Sequence, residues 1–112
     1  MASALDLLPG TLDLMVLRAL TLGEQHGYGV AETIHERTDG AFVLEEAALY
    51  KALHRLEHEG LLEAEWGVSE NNRRAKYYRL TSAGRARLRK RVSEWRRYVA
   101  AVSKLLEPAP AS

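Results

Sequence analysis

The sequence predicts a mainly α-helical fold with one two-stranded β-hairpin and a long C-terminal helix, and two observations support this fold class. Apolar residues recur at the spacing of a helix in four separate stretches of the 112-residue chain. Two short strand-like segments around a polar turn lie between the third and the fourth of these stretches. The order helix, helix, helix, hairpin, helix is that of a winged helix-turn-helix, in which the hairpin is the wing.

Turn and cap residues set the limits of the three N-terminal helices. The first helix is expected at Thr11–Leu22, with Thr11 as its N-cap, and the second at Tyr28–Arg37. The third helix is expected at Glu46–Glu59, followed by Gly60 as the glycine that ends it. Four apolar residues of this helix recur at i, i+3, i+4 and i+7, which predicts a buried stripe. They are Leu49, Ala52, Leu53 and Leu56.

The hairpin and the last helix follow directly. The two strands are predicted at residues 61–66 and 74–80, with a polar turn between them. Thr81 is the expected N-cap of the last helix, which should end near Glu107 because Pro108 follows. The predicted division of the chain is a winged helix-turn-helix domain at 1–81, a dimerisation helix at 82–107 and a disordered tail at 108–112.

Charge is unevenly distributed along the chain, although the net charge is only +1. Residues 1–72 contain four basic and thirteen acidic side chains, a balance of −9. Residues 73–97 contain eleven basic side chains and one acidic side chain, a balance of +10. Such a concentration of positive charge attracts polyanions. The wing and the last helix are therefore expected to lie near one.

The composition also excludes several kinds of site. The chain has no cysteine, which excludes disulfides, thiolate metal sites and cysteine catalysis. The longest apolar-rich run, residues 12–22, contains Asp13 and Arg18 and is too short to span a bilayer. The N-terminus lacks the basic region and apolar core of a signal peptide. We therefore expect a cytoplasmic protein that uses no cofactor and no metal and contacts no membrane.

The last helix carries a narrow apolar seam that is typical of a coiled coil. Its members are spaced 4, 3, 4, 3 and 4 residues apart. They are Leu88, Val92, Trp95, Val99, Val102 and Leu106. Because the first helix is apolar on nearly all sides, it too should be covered by more than its own domain. These features predict a homodimer built on the two helices, with Leu12 in the interface. The alternative is a last helix that folds back on its own core.

The third helix carries side chains outside its apolar stripe that can donate hydrogen bonds to phosphates or base edges. They are Tyr50, Lys51, His54, Arg55 and His58. The wing has further polar and basic groups that suit sequence-independent contacts with the DNA backbone. They are Asn71, Asn72, Arg73, Arg74 and Lys76. For both sets the alternative is an ordinary solvated surface.

Two adjacent tyrosines on the second strand should have different roles, because successive strand residues point to opposite faces. One of Tyr77 and Tyr78 should face the core and the other should reach a phosphate. The sequence alone does not decide which of the two faces DNA, and Tyr78 is included among the candidate DNA contacts.

Two further patterns have competing interpretations. His54, Glu57 and His58 form H-x-x-E-H, the inverted zinc-protease pattern, and histidines four residues apart on a helix can share a metal. A protease would also need a third ligand and a cleft, so DNA recognition is the favoured role of these residues. Trp95 is either a large residue in the core of a dimer or a flat surface on which a planar aromatic ligand stacks.

Four segments of the sequence resemble the PadR family of bacterial transcriptional regulators. They are LPGTLDLMVLRAL, HGYGV, ALYKALHRLEHEGLL and WGVSENNRRAKYYRLTSAGRARL. The resemblance runs from Leu8 to Leu106 and is closest to the smaller subgroup with a single C-terminal helix. It implies a homodimeric repressor, not an enzyme, that binds a palindromic operator in double-stranded DNA. A small aromatic or drug-like effector would release it.

The resemblance also implies roles for single residues. Tyr28 would touch a phosphate, while Tyr50, Lys51 and His54 would lie in or beside the major groove. Trp95 matches a tryptophan that lines a pocket between the subunits of drug-sensing members. The candidate effector site consists of Trp95, Met15, Val92 and Val99.

The sequence departs from the family pattern beside the recognition residues. Ala47 and Ala48 replace the Gly-Ser or Gly-Thr pair of many members, and Lys51 replaces a proline. Recognition of the operator is therefore expected to differ in detail. The alternative function is a winged-helix protein-interaction module that docks through the acidic N-terminal half and binds no specific DNA.

Overall fold

The computed structural model describes residues 5–108. The helices are α1 (Thr11–Ala19), α2 (Gly27–Arg37), α3 (Glu46–His58) and α4 (Ser82–Leu106), and the strands are β1 (Gln25–His26), β2 (Leu62–Val68) and β3 (Arg74–Leu80). The fold class is confirmed, since three helices, a hairpin and a long final helix follow one another as predicted. The predicted disordered tail lies, apart from Pro108, outside the described residues.

The start of α1 differs from the prediction. Gly10, not Thr11, is the N-cap, and its φ of 83° lies in the left-handed region that favours glycine. Thr11 is the first helical residue, and its hydroxyl donates to the Leu8 carbonyl oxygen at 2.7 Å. Beyond Ala19 the chain tightens into a short 3₁₀ turn, Leu20–Leu22.

Two predicted helix boundaries are confirmed. Gly60 has a φ of 78°, and the following Leu61 N–H donates to the Leu56 carbonyl oxygen at 2.9 Å, which closes α3 as a Schellman-type end does. At the start of α4 the Thr81 hydroxyl accepts from the Gly84 N–H at 3.0 Å. The same hydroxyl donates to the Gly60 carbonyl oxygen at 2.7 Å, so this one side chain joins the ends of α3 and α4.

The sheet has three strands rather than the predicted two. Its order is β1-β3-β2, and both neighbouring pairs are antiparallel. β1 was not predicted, because two residues are too short to show an alternating pattern. It places His26 opposite Tyr77 on β3. The His26 side chain also caps α2 by accepting from the Gly29 N–H at 3.0 Å, so β1 fixes the start of α2 against the wing.

The hydrophobic core lies between the three N-terminal helices and the base of the hairpin. The stripe predicted on α3 is confirmed, since Leu49, Ala52, Leu53 and Leu56 are all buried. Val16 and Leu17 of α1 meet this stripe from the opposite side, and Tyr78 and Leu80 close the core from β3.

α4 packs on the core through its first half only. Gly84 and Leu88 are its buried residues, and Val92 is the last of its side chains packed against the core. A side chain at Gly84 would collide with the Leu61 carbonyl oxygen, so glycine permits the close approach of α4 to the residue that precedes β2. The remainder of the helix projects from the domain. None of the helices between residues 5 and 108 is both long enough and apolar enough to cross a membrane.

Candidate nucleic-acid interface

The face of α3 opposite the buried stripe lies open to solvent. It carries the predicted recognition residues Tyr50, Lys51, His54, Arg55 and His58, all exposed. With Ala47 they line one shallow depression. An uncovered helix face with cations, imidazoles and a phenol can donate hydrogen bonds to base edges and phosphates.

Tyr50 is positioned by α2. A side chain at Gly27 would come within 2.8 Å of the Tyr50 ring and hydroxyl, so the ring lies against the backbone at the start of α2. Tyr28, the next residue of α2, is 71% exposed. The start of α2 therefore carries one exposed phenol, Tyr28, and packs its backbone against a second phenol, Tyr50 of α3.

Arg55 is held by α1. Its guanidinium makes two hydrogen bonds with the Asp13 carboxylate, at 2.7 and 2.6 Å, and the hydrogen bonding to Asp13 raises the pKa of Arg55. This bidentate pair joins residues 42 positions apart in the sequence. It ties α3 to α1, and it leaves Arg55 partly exposed but neutralised by its partner.

Lys76 ties the wing to α3. Its ammonium donates to the Glu57 carboxylate at 2.8 Å, and this hydrogen bond is the main cause of the raised pKa of Lys76. Both side chains are about three-quarters buried. Lys76 was predicted to contact the DNA backbone, and in this structure its charge is used to fix the hairpin on the helix.

The prediction that Tyr78 contacts DNA is wrong. Tyr78 is only 1% exposed and belongs to the core, because it lies on the inner face of β3 opposite Ala64. Burial raises the pKa of its hydroxyl. Tyr77 points the other way, with its ring edge on against His26 at 5.4 Å and its hydroxyl donating to the Val68 carbonyl oxygen at 3.2 Å.

The tip of the wing is a tight exposed turn. The Ser69 N–H donates to the Arg73 carbonyl oxygen at 2.7 Å, and the Asn72 N–H donates to the Ser69 carbonyl oxygen at 2.9 Å. Asn72 adopts a positive φ of 59°, which asparagine tolerates better than most residues. Arg73 follows the turn and is exposed, as are Asn71 and Asn72.

A groove of about 760 Å³ separates the start of α2 from the wing. It brings together six of the predicted DNA contacts, which are Tyr28, Tyr50, Asn71, Arg73, Arg74 and Lys76. Lys51, His54 and Arg55 are not part of it and line the depression on α3 instead. The candidate interface therefore has two parts, the exposed face of α3 and the groove beside the wing, and Tyr50 belongs to both.

The zinc-protease pattern has no support in the described part of the chain. Glu57 is paired with Lys76. No group of three His, Asp or Glu side chains that could share a metal occurs between residues 5 and 108.

The apolar seam of α4 is divided between the core and the solvent. Leu88 was predicted to contact a partner subunit, but it is 6% exposed and packs in its own core. Val92 is half-buried against that core, as are Leu12 and Met15 of α1. The remaining members of the seam are exposed, and they are Trp95, Val99, Val102 and Leu106.

Trp95 has an aromatic neighbour that was not predicted. The Tyr98 ring is stacked on Trp95 with a centroid distance of 6.3 Å and an angle of 17° between the ring planes. The spacing of three residues on a helix could have indicated this pair. Asp13 and Trp66 also escaped prediction as site residues, and Glu57 was considered only in the zinc-protease pattern. Their roles depend on partners in other elements.

Comparison with known proteins places this arrangement in context. The model of the Transcriptional regulator PadR-like family matches residues 16–90. An uncharacterized protein from Lysinibacillus sphaericus is 38% identical over 90 residues, which cover 80% of this chain and 83% of that protein.

Solved structures of transcriptional regulators share the fold. A transcriptional regulator from Clostridium thermocellum aligns with a TM-score of 0.80 and 31% identity, over 88% of this chain and 92% of that one. A PadR family transcriptional regulator from Eggerthella lenta aligns with a TM-score of 0.75 and 34% identity, over 89% of this chain and 85% of that one.

Proposed function

Because this chain belongs to the PadR-like family of transcriptional regulators, we propose that it controls transcription by binding operator DNA as a homodimer. Members of the family regulate transcription and are not enzymes. The observation that carries the proposal is the uncovered face of α3 beside a basic wing. The α3 face has the size and shape to enter a major groove, and Lys51 and His54 on it can donate to base edges.

The wing supports this proposal by its charge. Arg73 and Arg74 are exposed at its tip, where cations can bind phosphates or a groove next to the one that α3 enters. Tyr28 is exposed across the groove from them and can donate to a phosphate. Arg55 and Lys76 contribute less, because each is paired with a carboxylate of its own chain.

The exposed part of the seam supports a homodimer. Trp95, Val99 and Val102 form a run of large apolar side chains at coiled-coil spacing. A second copy of α4 can cover this run. Two-fold symmetry of such a dimer presents two α3 helices, so the matching operator is a palindrome with half-sites about one helical turn apart. In this proposal the protein is a repressor, which blocks transcription by occupying an operator near a promoter.

The stacked pair of Trp95 and Tyr98 supports an effector of planar aromatic shape. Both rings are exposed, and their parallel planes offer a face on which a third ring can stack. Met15, Val92 and Val99 are the apolar neighbours proposed to line the same site. Such a ligand releases the protein from DNA if it binds best to a dimer in which the spacing of the two α3 helices differs from the spacing that fits the operator.

The first experiment measures binding to the DNA upstream of the protein's own gene, by fluorescence anisotropy and footprinting. We expect protection of a two-fold symmetric site and an affinity that falls steeply with salt. Absence of binding at every salt concentration below about 0.1 M would contradict the proposal.

The double variant Arg73→Glu and Arg74→Glu should abolish DNA binding. The matched control is Arg96→Glu with Arg97→Glu, which makes the same charge change on exposed positions of α4 away from the wing. If both pairs of substitutions weaken binding equally, the effect is one of net charge and the wing has no special role. If the wing variant loses DNA but retains a protein partner, the protein-interaction alternative gains support.

The effector site is tested by tryptophan fluorescence with planar cationic and phenolic compounds. We expect quenching in the wild type and a much smaller change in Trp95→Leu, in which Trp66 is the remaining tryptophan. Unchanged wild-type fluorescence at millimolar ligand would contradict the stacking proposal.

A further inference from the structure

The face of the wing that meets the hydrophobic core remains apolar beyond the core, where it is exposed to solvent. Leu62, Ala64, Trp66 and Val68 share this face of β2, since alternate residues of a strand point the same way. Leu62 is buried and Ala64 is half-buried, but Trp66 is 56% exposed and Val68 is 67% exposed. The outer half of the hairpin therefore presents two large apolar side chains that no element of the described chain covers.

Trp66 forms a contact with a cation on the neighbouring strand. The Arg74 guanidinium carbon lies 4.5 Å from the centroid of the Trp66 ring, within the range of a cation–π interaction. Lys76 is the direct cross-strand partner of Trp66, but its ammonium is bound to Glu57. Arg74 is thus the cation on this face that interacts with the Trp66 ring. This interaction restricts the directions in which the Arg74 guanidinium can point.

From this arrangement we infer that Trp66 determines specificity by holding Arg74 for insertion into the minor groove of A·T-rich DNA beside each half-site. The inference rests on the proposed function. A·T-rich minor grooves are narrow, and their enhanced negative potential attracts arginine. The walls of the minor groove are formed by sugars. The exposed surfaces of Trp66 and Val68 can pack against these sugars without removing water from a charged group.

The surroundings of the other wing arginines favour this assignment over a simple phosphate contact. A phosphate needs only a cation, and Arg73 at the exposed tip suits that role. Arg79, which lies nearer the base of the same strand, is bound to Glu63 and Glu65 at 3.0 and 3.4 Å. Among these three arginines, Arg74 alone combines an exposed charge with an aromatic ring, Trp66, against its guanidinium. Such a ring adds nothing to a contact with the charged, solvated phosphates of the DNA backbone.

The test selects binding sequences from a pool of randomised DNA duplexes. The wild type should enrich a palindromic core together with A·T pairs at the positions that flank each half-site. Trp66→Leu keeps apolar bulk but removes the aromatic face, and it should enrich the same core without the A·T flanks. Trp66→Phe keeps an aromatic face and should retain part of the flank preference. Circular dichroism verifies that each variant is folded.

A direct measurement then uses two duplexes that share the enriched core and differ only in A·T or G·C flanks. The affinity ratio of the wild type for these duplexes should fall by about two- to fivefold in Trp66→Leu, the range expected for an exposed cation–π contact. Arg74→Lys, which keeps the charge but loses the planar group, should reduce the ratio in the same way. Arg79→Ala removes one wing charge outside this face and should leave the ratio unchanged.

The results separate this inference from the proposed function. If the wild type selects no sequence, the proposed function and the inference both fail. If the wild type selects a core and Trp66→Leu or Arg74→Lys keeps the A·T preference, the inference alone is overturned. An equal loss of affinity for both flanks in these variants would also overturn it, because it would indicate a contact with phosphate only.

Discussion

Tyr77 and Tyr78 are adjacent in the sequence and have opposite environments. Their hydroxyls lie on opposite faces of β3, one against the wing backbone and one in the core. The alternation of side chains along a strand predicted that the two tyrosines would point to opposite faces, but it did not predict which one is buried. That choice depends on the register of β3 against β2, which places Tyr78 opposite Ala64 on the face that meets α3.

Alkaline stability is expected to depend on Tyr78. Its pKa is raised by burial above the ordinary value of 10.0, so above pH 10 the unfolded chain loses this proton before the folded chain does. The free energy of unfolding must therefore fall as pH rises from about 10 through the folded pKa. Tyr78→Phe should lessen this loss in thermal unfolding scans between pH 9 and about 11.5. The hydrogen bond to Glu57 also raises the pKa of Lys76, so Lys76 contributes to the alkaline loss in both proteins.

At pH 7 the same variant should change the free energy of unfolding by less than about 1 kcal/mol. Tyr78→Ala should cost about 3–5 kcal/mol, because it empties part of the core. An alkaline profile of Tyr78→Phe identical to the wild type would contradict the role of this hydroxyl.

Gly84 is a second residue whose importance comes from packing. Gly84→Ala should destabilise the protein by about 1–3 kcal/mol, because the added methyl group meets the Leu61 carbonyl oxygen and α4 must move outwards. Ser82→Ala, an exposed change in the same turn, is the control and should have a small effect. Chemical denaturation measures both, and a stabilised Gly84→Ala would show that the approach of α4 is not limited by this contact.

Among the elements, α3 is fixed from two sides. Asp13 of α1 holds Arg55, and Lys76 of the wing holds Glu57. Both pairs lie next to the exposed face of α3, so they set the position of α3 relative to α1 and to the wing.

A double-mutant cycle on Asp13→Asn and Arg55→Met should give a coupling energy of about 0.5–1 kcal/mol in the free energy of unfolding, at the upper end for pairs with exposed members. The bidentate geometry and the well-covered Asp13 are the reasons for this value. The matched cycle on Glu63 and Arg79, a pair exposed on both sides, should give a smaller coupling. Equal couplings in the two cycles would contradict the special role of the α1–α3 pair.

Element positions were largely predictable and their connections were not. The helices were located because periodicity and capping are local properties, as the stripe of α3 and the caps at Gly60 and Thr81 illustrate. β1 escaped because its two residues become a strand only by pairing with β3. Of the candidate site, the exposed residues of α3 were predictable as the complement of its buried stripe. The partners of Arg55 and Lys76 were not.

The whole molecule is extended for its length. Its radius of gyration is 16.4 Å and its longest dimension is 64 Å, whereas a compact domain of this length has a radius of gyration of roughly 13 Å. The projecting second half of α4 accounts for this shape. The exposed apolar seam of this 25-residue helix is unfavourable in water. A dimer that covers the seam is therefore favoured as the functional unit.

Val99→Glu should convert the proposed dimer into a monomer. A carboxylate in the middle of the seam would be buried without a partner on association, so sedimentation should give a mass near 12.6 kDa instead of twice that value. Ala100→Glu places the same charge on an adjacent exposed position away from the seam and should remain dimeric. A wild type that sediments as a monomer would refute the dimer itself.

The sequence by itself determined the order of the four helices and the hairpin, the buried stripe of α3, the helix ends at Gly60 and Thr81, and membership of the regulator family. These features follow from contacts within one turn or one strand, or from motifs that can be read along the chain. Only the tertiary structure decided that Tyr78 is buried, that Arg55 and Lys76 bind carboxylates 42 and 19 residues away, and that Leu88 packs in its own core. Such contacts depend on how the helices and strands pack against one another, and no local sequence pattern specifies this packing.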